Sequence, residues 1–296
     1  MEDFLMRGDA PLSAEEWAAI DGVVVATAKK LLVGRRLIEI FGPLGAGFQT
    51  VPVNQYHVTP ACLHSSAGDC CGGKDDECCD KEGECCNEGD ECCGGDCDAV
   101  DVAQRGILEL PLLHKDFVMQ WRDMAQAKQL GWPLDISPAA ASAAMVARKE
   151  DEMIFGELFD QAGAKVEETA WAKPGAVFAA LVNATGALAE KGFFGPYAVV
   201  VSPAVYALLH RPMAEQMGLL EIKQVKELAS GGVYQTPALK GNQALVISQG
   251  VENLDLAVAQ DLVTAYLGPA GMEHVFRVME SLALRVKRPD AIYAIE

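Results

Sequence analysis

Apolar side chains recur at helical spacing at Trp17, Ile20, Val24 and Leu31, and the run opens with Ser13 and, three positions on, Glu16, the pairing of a reciprocal cap. This predicts an N-terminal helix closed by Gly34. Residues 35–41 read as a strand and residues 42–47, with Gly42, Gly45 and Gly47, as a turn. A further extended piece runs through Val53, where apolar periodicity stops. It returns over residues 105–117, and then Ser137 and Pro138 open a long alanine-rich helix through Met145, Met153, Ile154 and Leu158, with proline at a tolerated first-turn position. A helix over 175–191, a buried strand over 197–202, a short helix over 203–210 and a helix over 215–229 follow. Strands are predicted over 244–248, 254–259, 263–267, 274–287 and 291–295. Helices and strands in this irregular order predict an α+β chain rather than regular βαβ repeats.

The chain has 296 residues, half of them apolar, enough to bury a core without disulfide staples. No apolar run reaches the roughly 20 residues needed to span a bilayer, and residues 1–7 are acidic and short, unlike a signal peptide. A soluble, cytoplasmic protein without a membrane partner is expected.

The ten cysteines confine themselves to one window. Cys62 opens it, four adjacent pairs follow (Cys70 with Cys71, Cys78 with Cys79, Cys85 with Cys86, Cys92 with Cys93), and Cys97 closes it. Between residues 65 and 98 the one non-cysteine apolar side chain is Ala67, so this stretch cannot bury enough surface to offset its ordering entropy without cross-links or metal. Residues 69–98 hold twelve acidic residues against Lys74 and Lys81, hence ten of the chain's net −18 charges. That charge repels phosphates and excludes nucleic acid as a partner of this segment. Adjacent residues have Cα atoms about 3.8 Å apart, below the usual disulfide range of about 4.4–6.8 Å, so each pair offers its thiols elsewhere. Thiolates select Zn(II) or Cu(I), and several close pairs permit bridged clusters. His57 and His64 bracket Cys62 as accessory candidates. Disulfides within the segment or between subunits are the rival reading, opposed by a reducing cytosol.

Several motifs resemble the encapsulins, bacterial and archaeal shell proteins with the fold of tailed-phage major capsid proteins. They are FLMRGDAPLSAEEWAAID (residues 4–21), Gly34-Arg35-Arg36, GPLG from Gly42, KEDEMIFGE (149–157), GPYAVVVSPAVYALL (195–209), AVAQDLVTAYLG (257–268) and ESLALRVKRPDAI (280–292). The likeness spans nearly the whole chain except about 55–104. It implies a Hong Kong 97-type capsid fold with an N-terminal helix and strand (1–46), an extended loop (47–118) carrying the insertion 62–97, a peripheral domain with a spine helix (119–194), an axial domain (195–253) and return strands of the peripheral domain (254–296).

The resemblance further implies a non-enzymatic protomer that self-assembles into an icosahedral container around a cargo enzyme bearing a terminal targeting peptide. Matching positions assign the cargo contact to Ala28, Leu31, Arg35, Glu39 and Ile40, with Ala28 standing where a bulkier side chain is common. Trp121 lies where some encapsulins stack a tryptophan on a flavin, although a structural tryptophan is the favoured reading there. Glu150, Asp151 and Glu152 read as a solvated or intersubunit surface, because adjacent helical residues do not share a face. His114, His210 and His274 are scattered and propose no catalytic arrangement. A phage capsid protein and a soluble metal-binding or redox protein are the remaining alternatives.

Overall fold

A computed structural model describes residues 4–57, 101–167, 171–212 and 220–296. The chain divides into two compact units, Met1–Val53 with Ile107–Glu296, and Asn54–Gly106. The whole candidate metal set lies outside the described residues: Cys62, Cys70, Cys71, Cys78, Cys79, Cys85, Cys86, Cys92, Cys93 and Cys97, together with the accessory His64. So does the first part of the helix expected over 215–229.

Helix α1 (Ala14–Leu31) starts with the expected cap: the Ser13 hydroxyl accepts from the Glu16 N–H, and the Glu16 carboxylate accepts from the Ser13 N–H. Its buried face is Trp17, Ile20, Val24 and Ala28. Leu31, expected on that stripe, is 40% exposed because the helix ends there and Leu32 takes the inward position. The strand expected from residue 35 is instead a short helix, α2 (Gly34–Leu37), followed by a two-residue strand β1 (Ile40–Phe41). The cause lies 117 residues downstream. The Asp151 carboxylate accepts the N–H groups of Val33 and Gly34, satisfying donors that open a helical turn, and a Cβ on Gly34 would stand 2.8 Å from Ile154 Cδ1.

Strands β2 (Thr50–His57) and β3 (Asp101–Glu109) pair with each other, and β4 (Leu112–Met119) follows. Helix α3 (Trp121–Leu130) is not expected from the sequence; it is polar overall and buries just Met124 and Ala127. The spine helix α4 (Ser137–Asp160) begins where expected. Its alanines Ala139, Ala143 and Ala147 let α1 approach closely. After β5 (Ala164–Val166) come α5 (Ala176–Glu190), β6 (Tyr197–Val201), α6 (Pro203–Leu209), α7 (Glu221–Leu228), β7 (Gly232–Gln235) and β8 (Ala244–Ser248). Strands β5 and β7 are likewise additions to the expected elements. The chain closes with β9 (Leu254–Ala270), β10 (Glu273–Val286) and β11 (Ile292–Ile295).

One sheet runs β1-β9-β10-β4 and the other β5-β11-β8-β6-β7. The two strands expected over 254–259 and 263–267 are one strand of 17 residues. Gln260 and Asp261 look like a break in the sequence, but they mark a β-bulge: Met279 pairs with Val263 and Ser281 with Gln260, so Asp261 and Leu262 together oppose Glu280. A core of Trp17, Ile20, Val24, Phe117, Val146, Tyr266 and Phe276 lies between α1, α4 and the first sheet.

Candidate functional site

A cavity of about 350 Å³ opens between α1 and the bulge of β9, lined by Val25, Ala28, Lys29, Leu32, Arg35, Arg36, Ile40, Asp261 and Leu262. A second recess, of about 610 Å³, lies on the other side of the 35–40 segment and is walled by that segment together with Pro196, Gln249, Gly250 and Leu254. Arg35, Arg36 and Ile40 border both.

The expected contact residues distribute unevenly. Ala28, buried at 3% exposure, lines the smaller cavity; its short side chain helps leave that space open. Ile40, at 49% exposure, offers an apolar surface to both hollows, and Glu39 lines the larger one. Leu31 lines neither.

Arg35 is engaged from within. Its Nε and Nη2 donate to the Glu150 carboxylate at 2.7 and 3.0 Å, Nη2 also donates to Glu280 Oε2 at 2.7 Å, and Nη1 donates to Asp261 Oδ1 at 2.7 Å. Burial disfavours its charge, but hydrogen bonding and attraction from Glu150, with Glu280 and Asp261, outweigh this and push its pKa up. Arg36 instead donates to the carbonyls of Lys29 and Lys30 at the end of α1.

The carboxylates beneath this cavity correct the sequence-based expectation. Glu150 and Asp151 are expected at a surface, yet Glu150 is fully buried and Asp151 is 5% exposed. Adjacent helical residues point in different directions, and here both directions are occupied: Glu150 meets Arg35 while Asp151 caps α2. Burial pushes Asp151 up to about 6 against the pull of the Gly34 and Val33 N–H groups. Glu152 is exposed beside Lys149 as expected. The signal available in the sequence was the polar interruption at Gln260 and Asp261 inside an apolar strand run.

Trp121 opens α3 at 40% exposure, and its backbone N–H donates to Glu273 Oε2 at 2.9 Å. His274 Nδ1 lies 2.8 Å from the Tyr266 hydroxyl, and His210 packs edge-on against Tyr206. Among the described residues no three His, Cys, Asp or Glu side chains are grouped to hold a metal ion, and no helix is long and apolar enough to cross a membrane. The cysteine pairs, Cys70 with Cys71, Cys78 with Cys79, Cys85 with Cys86 and Cys92 with Cys93, fall outside those residues, as do Cys62 and Cys97.

The long spine helix, the elongated hairpin and the mixed five-stranded sheet form a fold shared with capsid-type shell proteins. The fold matches a virus-like particle from Pyrococcus furiosus with a TM-score of 0.74 at 20% identity, over 96% of this chain and 100% of that one. It also matches the capsid of Myoviridae phage XM1 with a TM-score of 0.60 at 12% identity, over 89% of this chain and 91% of that chain. The family model described as encapsulating protein for peroxidase matches residues 1–68 and 80–283. The type 1 encapsulin shell protein EncA of Myxococcus xanthus is 41% identical over 100% of this chain and 97% of its own length. A diheme-cytochrome-encapsulin shell fusion protein of Kuenenia stuttgartiensis is 37% identical over 96% of this chain and 74% of its own. The chain belongs to the encapsulin family and is a shell protein.

Proposed function

We propose that this protein assembles with copies of itself into a closed icosahedral container that encloses a cargo protein. The observation carrying this reading is the number of large apolar side chains that the single chain leaves uncovered. Ile107 (79%), Phe194 (70%), Met272 (64%), Trp132 (62%), Met145 (55%) and Leu130 (52%) are all more than half exposed. Such surface is what protomers of a symmetric assembly bury against one another. Negative-stain microscopy of the purified protein should show uniform hollow particles; small, discrete oligomers would refute the reading.

Cargo docks by a short terminal peptide that places an apolar side chain in the cavity beside Ala28, against Val25, Leu32 and Leu262. Ala28→Trp should fill that space and yield intact but empty particles from cells producing the native cargo, read from co-purified protein. The inserted cysteine pairs bind Zn(II) or Cu(I) as a metal-thiolate module, a reading supported by the spacing and acidity of residues 62–97 and by the strain of vicinal disulfides.

A further inference from the structure

The Arg35 junction holds more negative charge than its cation balances. Three carboxylates, from Glu150 on α4, Asp261 on the β9 bulge and Glu280 on β10, converge on one guanidinium. Asp261 is 65% exposed and can be solvated, but Glu150 and Glu280 are fully buried. Two buried carboxylates sharing one cation cannot both ionise without several kcal/mol of uncompensated desolvation. The hydrogen bonds of Glu280 leave one of its oxygens without compensation. Glu280 Oε2 accepts from Arg35, whereas Glu280 Oε1 is buried and receives no donor. An ionised carboxylate there leaves a buried acceptor without a donor, and the neighbouring Glu150 carboxylate repels its charge, so the neutral form of Glu280 is favoured.

We propose that the Arg35–Glu150–Glu280–Asp261 junction is a proton-held latch that positions the cavity floor, and that ionisation of Glu280 releases α2 and the end of α1 from the β9–β10 hairpin. Burial, then repulsion from Glu150, raises Glu280 to about 9 against the attraction of Arg35. The surrounding groups do not supply a substitute charge. On β4 the residue opposite Glu280 is the apolar Leu113, while Asp116 is engaged by Arg277 and His114 pairs in register with Met279. From α1, Lys29 acts on Asp261. Asp151 on α4, pushed up to about 6, is ionised throughout the alkaline window.

The sign follows from linkage. Glu280 binds its proton more tightly in the fold than at its ordinary value of 4.5, so its contribution is full below that value and is lost as pH rises through about 9. The latch is then closed at neutral pH and opens under alkali. The four residues act as positioning groups: Arg35 and Asp261 line the cavity, and Arg35 is already saturated by its own chain. The consequence for cargo rests on the docking reading above, but the latch does not.

Amide hydrogen exchange on assembled particles between pH 7 and 10, corrected for the intrinsic pH dependence of exchange, tests it. Protection at Val33, Gly34 and Ile38 should fall by up to about tenfold per pH unit as pH rises toward the Glu280 titration near 9 and level off above it, while Val199 and Val246 in the second sheet keep theirs. Glu280→Gln, which stays neutral, should hold protection at Val33 and Gly34 up to pH 10. Equal loss in parent and variant, or loss spread evenly over both sheets in the parent, would overturn the latch. Failure of docking itself is separable, because it is read from Ala28→Trp at pH 7.

Discussion

In the second sheet every residue of β8 and four of the five in β6 are buried, whereas residues 65–98 offer Ala67 as their one non-cysteine apolar side chain. The first region is specified by burial: near-continuous apolar strands placed in a sheet covered on both faces. The second carries its information as thiols and carboxylates, groups that gain nothing from a core. A shell can therefore accept such a segment between β2 and β3 without rewriting the residues that make the tile, and the two regions should respond to different perturbations.

The largest expected effect falls on the apolar side. Phe276 is fully buried between Trp17, Phe117 and Tyr266, with ring centroids 5.2–5.7 Å away. Phe276→Ala should cost about 3–5 kcal/mol, read by denaturant unfolding, and should reduce the yield of particles. A smaller loss, about 1 kcal/mol, is expected for Ser13→Ala, which removes the α1 cap. The smallest effect on the fold is expected from the other region. Replacing the eight paired cysteines (Cys70, Cys71, Cys78, Cys79, Cys85, Cys86, Cys92 and Cys93) with serine should change the same unfolding free energy by less than about 0.5 kcal/mol in metal-free, reduced protein. Those particles should contain no stoichiometric zinc or copper after dialysis against either ion, while the parent retains it. Equal metal content in both would remove the thiolate reading, and a reductant-sensitive multimer ladder on gels would favour cross-linking.

What could be read in the sequence follows the same division. The α1 cap, the start of α4 and the buried strands β6 and β8 were legible because their signals are local or apolar. Residues 34–41 were not, because their geometry is fixed by Asp151, more than a hundred residues away, and no local pattern announces that carboxylate as a cap. Glu150 and Glu280 were illegible as a pair for the same reason: a bulge in β9 and a turn of α4 bring them to Arg35. The cavity was half legible. Family positions supplied Ala28, Arg35 and Ile40, but packing decided that Leu31 faces away and that Arg35 is held by its own chain.

If apolar edges alone build the container and the cysteine segment is an addition to it, assembly needs neither metal nor disulfide. Sedimentation velocity of protein kept in reductant and chelator tests this most directly. A single fast boundary of closed particles, unchanged from untreated protein, is expected. Collapse to slow protomers under those conditions would show that sulfur chemistry, rather than apolar edges, holds the assembly together.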